Sequence, residues 1–210
     1  MKRGAAILII AAFALSLAAY SQLPSTIPIH WNMAGKADGF APKLWGAFLM
    51  PLLMAGIALI LLIAPRISPS GFELDKDSRG YVAISLSVLV FLLAVHIFAL
   101  YAALNEHTTF PHALPVLLGA LFAILGNYLG KVQRNFFMGI RTPWTLADDD
   151  VWFRTHRLGG KLFVAGGILT MFGALLPEER GVMFAVAIAI AVSLISIVYS
   201  YVIYQKSAGS

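Results

Sequence analysis

The chain has no cysteine. Disulfides, thiolate catalysis, and zinc or iron–sulfur centres held by cysteine are excluded, while the compartment stays open. Charge is scarce too. Asp, Glu, Lys and Arg make up 12% of 210 residues against 60% hydrophobic ones, where soluble domains carry about 25% charged residues. Such a chain cannot cover itself with polar side chains, so lipid must be its solvent. Enzyme signatures are missing as well: there is no His-Glu-x-x-His, Gly-x-Ser-x-Gly, P-loop or Gly-x-Gly-x-x-Gly. No Asp, Glu, Lys or Arg lies at the centre of an apolar run, which argues against a proton-coupled pump or ion channel. Internal repeats and low-complexity tracts are absent, and so are the paired broken helices of an inverted-repeat transporter.

What is present is six apolar runs: Gly4–Gln22, Leu44–Ala64, Tyr81–Leu104, Leu114–Gly130, Leu162–Leu176 and Val182–Tyr204. Each approaches the roughly 20 residues that cross a bilayer; the fifth is short and could begin near Leu158. The first, behind Lys2 and Arg3, resembles a signal peptide, but its length and the five spans after it favour a retained helix. Pro51 and Pro115 are read as lying near span starts, where a missing N–H costs least. With a cytoplasmic N-terminus, the inner segments hold Lys2, Arg3, Arg66, Lys76, Arg79, Lys131, Arg134, Arg141, Arg154, Arg157, Lys161 and Lys206. The outer segments hold only Lys36, Lys43 and Arg180. This asymmetry places both termini in the cytoplasm, and it explains the net charge of +5 without direct nucleic-acid binding. The expected fold is all-α: a polytopic membrane bundle of six transmembrane helices. A two-span unit, 1–66, carries an extracytoplasmic Pro/Gly loop at 23–43. A four-span unit, 80–206, carries a cytoplasmic loop at 131–161.

The 131–161 loop concentrates the polar residues. Pro143 pushes Thr142 toward extended backbone, so Arg141–Trp144 reads as a fixed corner leading into a short interfacial helix. Thr145 reads as that helix's N-cap, Asp148 completes an approximate capping box, and Gly159–Gly160 supply the stop. Trp152 and His156 share one face and Phe153 and Arg157 another. Membrane-surface anchoring and a functional role both remain open for these residues. The triplet Asp148, Asp149 and Asp150 favours helix capping over cation binding, because consecutive helical residues point in different directions.

Histidine offers a rival chemistry. His30, His107 and His112, with Glu106, Glu178 and Glu179 on the same side, could in principle form a zinc site. Their spacing across Phe110–Pro111 suits a loop rather than a rigid metal face, so no cofactor is expected. His96 lies deep in a span, where a neutral imidazole bonded to a neighbouring helix competes with a functional role. Asn127 raises the same choice between interhelical bonding and a pathway.

Several of these residues fall into a known pattern. Gly126-Asn127, Gly139-Ile140-Arg141-Thr142-Pro143-Trp144-Thr145-Leu146, Asp148, Val151-Trp152 and His156-Arg157-Leu158-Gly159-Gly160 resemble the signature of the SdpI family, the sporulation-delaying-toxin immunity proteins and their relatives. Leu23-Pro24, Ile27-Pro28-Ile29-His30-Trp31-Asn32, Gly35 and Asp38-Gly39 resemble a domain of unknown function that often precedes that signature. The resemblance implies a non-enzymatic bacterial membrane protein that protects against a secreted, membrane-active toxin peptide. The family's founding member also tethers a cytoplasmic repressor at the membrane. The inner set Arg141, Thr142, Pro143, Trp144, Thr145, Asp148, Trp152, His156 and Arg157 would then order the loop and hold the repressor. The outer set Pro28, His30, Trp31, Asn32 and Asp38 would meet the toxin, unless Trp31 with Phe40 and Trp45 merely forms an aromatic belt. Arg141 is expected to pair with the Asp148–Asp150 cluster or a helix C-terminus. A transporter, a channel or a hydrophobic-ligand carrier are the alternatives, with a metalloenzyme behind them.

Overall fold

The computed structural model describes residues 1–33, 36–105, 112–177 and 179–208; Gly35, Glu106, His107, Phe110, Pro111 and Glu178 lie outside them. In chain order the elements are α1 (Lys2–Ala19), β1 (Thr26–Trp31), β2 (Ala37–Pro42), α2 (Lys43–Ile67), α3 (Arg79–Leu104) and α4 (Ala113–Leu129). There follow α5 (Pro143–Ala147), α6 (Asp149–Phe172) with a 3-10 turn at Gly173–Leu175, and α7 (Glu179–Ala208). Helices α1, α2, α3, α6 and α7 are long and apolar enough to cross a membrane, and α4 is a shorter apolar helix. Ile10, Leu17, Ile60 and Val198 point outward from them, as a lipid solvent requires.

Four local expectations are corrected. The 23–43 segment is not an all-loop element but an antiparallel hairpin, in which Ile27 faces Ala41 and His30 faces Gly39. Ile27 anchors it, buried with Leu23, Ala47, Leu100 and Ala103. Pro28 fits because a two-stranded ribbon consists only of edges, where a missing N–H is tolerated. Second, the short helix expected to end at Gly159–Gly160 is not separate from the fifth span: after the five-residue α5, α6 runs unbroken through both glycines. Those glycines face neighbours instead of ending the helix; a Cβ on Gly160 would sit 2.7 Å from the Gly126 carbonyl oxygen. Gly119 and Gly167 meet the same way, so α4 and α6 pack antiparallel along a shared glycine seam. Third, Thr145 does not cap the long helix. Thr142 caps α5, and Asp148 caps α6 by accepting from the Val151 N–H. Fourth, Pro51 is not near a helix start but lies inside α2, as does Pro65.

The two prolines determine how α2 is held. A helical proline deprives the carbonyl four residues earlier of its donor, here Ala47 for Pro51 and Leu61 for Pro65. Side chains from other helices fill both gaps. The Ser16 hydroxyl of α1 donates to Ala47 O at 2.6 Å, and the Tyr81 hydroxyl of α3 donates to Leu61 O. With its one proton on Ala47 O, Ser16 Oγ accepts from His96 Nε2 at 2.9 Å. Nε2 also lies 3.3 Å from Ala12 O. Ser16, His96 and Tyr81 are all buried. Ser16 and His96 join α1, α2 and α3 beside an apolar core of Ala5, Ala12, Met54, Ala58 and Leu89, while Tyr81 ties α3 to α2 in a separate cluster with Ala64, Ile84 and Met138.

Candidate functional site

The 131–148 segment is a folded strap over the N-terminal turns of α6, at the end of the bundle opposite the hairpin. It begins with Asn135, fully buried in the polar stretch between α4 and α5. Its Oδ1 accepts from the Phe137 and Met138 amides, each at 2.7 Å, and its Nδ2 donates to Gln133 O at 2.7 Å. One side chain thus satisfies backbone groups that a buried turn would otherwise leave bare. Gly139 follows at φ 110°, a region closed to ordinary side chains. A Cβ there would also strike His156 Nε2.

His156 and Trp152 form the seat of the strap. Both are buried, with rings stacked at 3.9 Å between centroids. The Trp152 indole N–H donates to Val132 O at 2.9 Å. His156 Nε2 accepts the Ile140 N–H at 2.9 Å, and Nδ1 lies 2.8 Å from Trp152 O. A carbonyl only accepts and an amide N–H only donates, so these partners select the neutral Nδ1-protonated ring.

The Arg-Thr-Pro-Trp-Thr run closes the strap against α7. Thr142 and Thr145 cap each other reciprocally, Thr145 Oγ1 donating also to Ile140 O at 2.8 Å. Thr142 Oγ1 lies 3.1 Å from Ser200 Oγ of α7. The Trp144 ring meets Tyr201 at 4.9 Å. Pro143, at the first position of α5, costs no hydrogen bond there.

The charges sort differently from expectation. Arg141 is exposed and donates to Phe136 O, not to the aspartates. Arg134 takes that part instead: its Nε lies 2.8 Å from Asp149, its Nη1 donates to Leu146 O, and its guanidinium covers the Phe72 ring at 4.7 Å. Phe72 in turn packs on Phe136, which joins the 68–78 connection to the strap. In that connection Glu73 is held below the usual carboxylate range by its own amide and that of Gly71. Asp150 pairs with Arg154 at 3.3 Å. Asp148, Asp149 and Asp150 therefore serve three separate partners.

Of the residues that the sequence singles out, Trp152, His156, Thr142, Trp144, Thr145 and Asp148 all meet in or beside the strap. Arg157 is exposed on α6, and Asn127 is exposed on α4 across from it. Asn135 is not singled out in the sequence, where Arg134 enters only as an inner-side cation and Gly139 only within the family signature. An Asx-type turn ahead of a glycine could have signalled Asn135 and Gly139; Ser200 and Tyr201, inside an apolar run, carried no signal. At the hairpin end, His30 Nδ1 and Asp38 Oδ1 are 2.5 Å apart on the exposed face. Trp31 meets Phe98 edge-on at 6.0 Å, Asn32 Oδ1 accepts from the Lys36 amide, and Pro28 is buried. His112 Nδ1 bonds Ala174 O, while His107 lies outside the described residues. Among the described residues no group of three or more His, Asp or Glu could hold a metal ion.

The chain shares these regions with known proteins. Residues 131–200 match the SdpI/YfhL protein family, and residues 7–55 match a domain of unknown function, DUF1648. Over 204 residues it is 25% identical to the immunity protein SdpI of Bacillus subtilis (strain 168), covering 97% of this chain and 96% of that one. Over 50 residues it is 42% identical to the uncharacterized membrane protein YbgB of the same organism, covering 24% of this chain and 55% of that one. No solved structure matches. The strap and its seat lie within the SdpI/YfhL match and the hairpin within the DUF1648 match, and along nearly its whole length this chain of apolar helices is similar to the immunity protein SdpI.

Proposed function

We propose that this chain is a multi-pass immunity protein of a bacterial cytoplasmic membrane, protecting its cell against a secreted membrane-active toxin peptide without catalysing a reaction. The observation that carries the reading is the similarity to the immunity protein SdpI along nearly the whole of both chains. In this reading α1–α4, α6 and α7 all cross the bilayer, with both termini and the strap cytoplasmic. The hairpin then faces the toxin. Its exposed His30–Asp38 pair and Phe40 offer a polar and an apolar contact on one rigid ribbon, and rigidity lowers the entropy cost of recognition. On the inner side, the exposed Arg141, close to Trp144 in the chain, and the exposed Arg154 of α6 suit an acidic helix of a repressor held at the membrane.

The test is survival of a toxin-sensitive bacterium expressing the chain and challenged with a sporulation-delaying-type toxin peptide or with unrelated membrane peptides. Selective protection is expected; equal killing at confirmed membrane insertion would refute immunity. Arg141→Ala should weaken repressor recruitment, read by co-purification, while leaving protection intact if the two roles reside at opposite ends. Because the chain lacks cysteine, Lys36→Cys and Arg141→Cys can test topology. An impermeant thiol reagent should label the first in intact cells and the second only after lysis.

A further inference from the structure

A groove of about 550 Å³ runs between α4 and α6 on the outside of the bundle, lined by Asn127, Lys131, Arg157, Lys161, Val164 and Ile168 among others. Its α6 wall is one helix face at three- and four-residue spacing: Arg157, then Lys161, then Val164, then Ile168. Polarity therefore changes along the groove. Three cationic side chains crowd the strap end, and an apolar trough walled from Val164 to Ile168 extends away from it for about 6 Å of helix. The cations are exposed. Among the described residues none of the three has an acidic partner; Asp149 and Asp150, the acids that open α6, are committed to Arg134 and Arg154. Lys131 instead lies 4.6 Å over the Tyr128 ring. A second opening beside it is lined by Arg154, Arg157, Lys161 and Tyr199, which extends the positive rim toward α7.

We propose that this groove binds an anionic phospholipid. Its phosphate would sit among Lys131, Arg157 and Lys161, with one acyl chain lying along Val164, Ala165 and Ile168. Charge complementarity at one end and an apolar wall at the other match the two halves of a lipid. A peptide strand would find no backbone partners on the wall, since those carbonyls and amides are already bonded within α4 and α6. The position agrees too: the cations lie where α6 changes from polar to apolar sequence, at headgroup level for a helix that enters the bilayer there. The seam that sets the groove's floor is the Gly126–Gly160 contact, so a lipid here would brace the tightest helix pair.

The experiment is native mass spectrometry of the delipidated full chain in detergent, titrated with phosphatidylglycerol or with phosphatidylcholine of identical acyl chains. Phosphatidylglycerol should bind selectively. Each cation near an anionic headgroup contributes about fivefold, so Arg157→Gln with Lys161→Gln should weaken it by roughly thirtyfold in combination. Ala165→Phe keeps every charge and fills the trough, and should also weaken phosphatidylglycerol binding. Lys206→Gln removes a charge elsewhere and should leave binding unchanged. Three results would overturn the proposal: equal binding of the two lipids, an equal loss in Lys206→Gln, or no loss in Ala165→Phe. Full competition by inorganic phosphate, or tighter binding of a polyglutamate peptide, would likewise reject a lipid as the occupant.

Discussion

Replacing Ser16 by alanine removes the donor that serves a carbonyl orphaned by a proline. Ala47 O receives no helical N–H because Pro51 has none, and Ser16 Oγ supplies the bond at 2.6 Å. The same substitution takes from His96 Nε2 its nearer acceptor, leaving Ala12 O at 3.3 Å. An unsatisfied buried carbonyl costs about 1–3 kcal/mol, whereas interhelical hydrogen bonds in membrane proteins average about 0.6 and reach about 1.7 kcal/mol. The two ranges overlap at about 1–2 kcal/mol. For a chain of this size that lowers Tm by roughly 2–8 °C. Pro51→Ala provides the decisive comparison, because the alanine brings an N–H that can bond Ala47 O within α2. Ser16→Ala should therefore cost about 1 kcal/mol less in the Pro51→Ala background, the remainder of the cost being His96's lost partner. Thermal unfolding of the four proteins in one detergent completes the cycle. An identical cost of Ser16→Ala in both backgrounds would refute the proline-orphan argument, whatever its size.

Tyr81→Phe should act at the second orphan, Leu61 O, and lower stability by about 1 kcal/mol; the loss should shrink in a Pro65→Ala background. Gly139→Ala forces a side chain into φ 110° and against His156. A loss of about 1–3 kcal/mol is expected, with faster proteolysis inside 131–148; an unchanged digestion pattern would argue against the strap's dependence on this corner. Asn135→Ala strips the acceptor from the Phe137 and Met138 amides, and their hydrogen exchange should accelerate by about tenfold. Asn135→Asp keeps an acceptor and should be milder.

Hydropathy alone located the apolar helices, since a run of some twenty apolar residues has few other solutions. The Arg-Thr-Pro-Trp corner was legible because proline acts on its immediate neighbour, holding Thr142 extended, although the cap falls on Thr142 and not on Thr145. Gly159–Gly160 misled because a glycine pair reads locally as a helix stop, and only the approach of α4 turns it into a packing surface. The hairpin was hidden by its prolines and glycines, which signal turns, while its burial depends on Ile27 finding α2 and α3. Arg134, rather than Arg141, meets Asp149 because the strap folds back on α6, a geometry absent from sequence spacing. Pro51 read as lying near a span start, where a missing N–H costs little, and Pro65 fell beyond the apolar run; only the extent of α2 through both prolines leaves Ala47 O and Leu61 O without helical donors. Which side chains answer them, Ser16 from α1 and Tyr81 from α3, was decided only when three helices packed together. Sequence determines the needs of a backbone locally, whereas partners distant along the chain are chosen by the packing that brings them within hydrogen-bond reach.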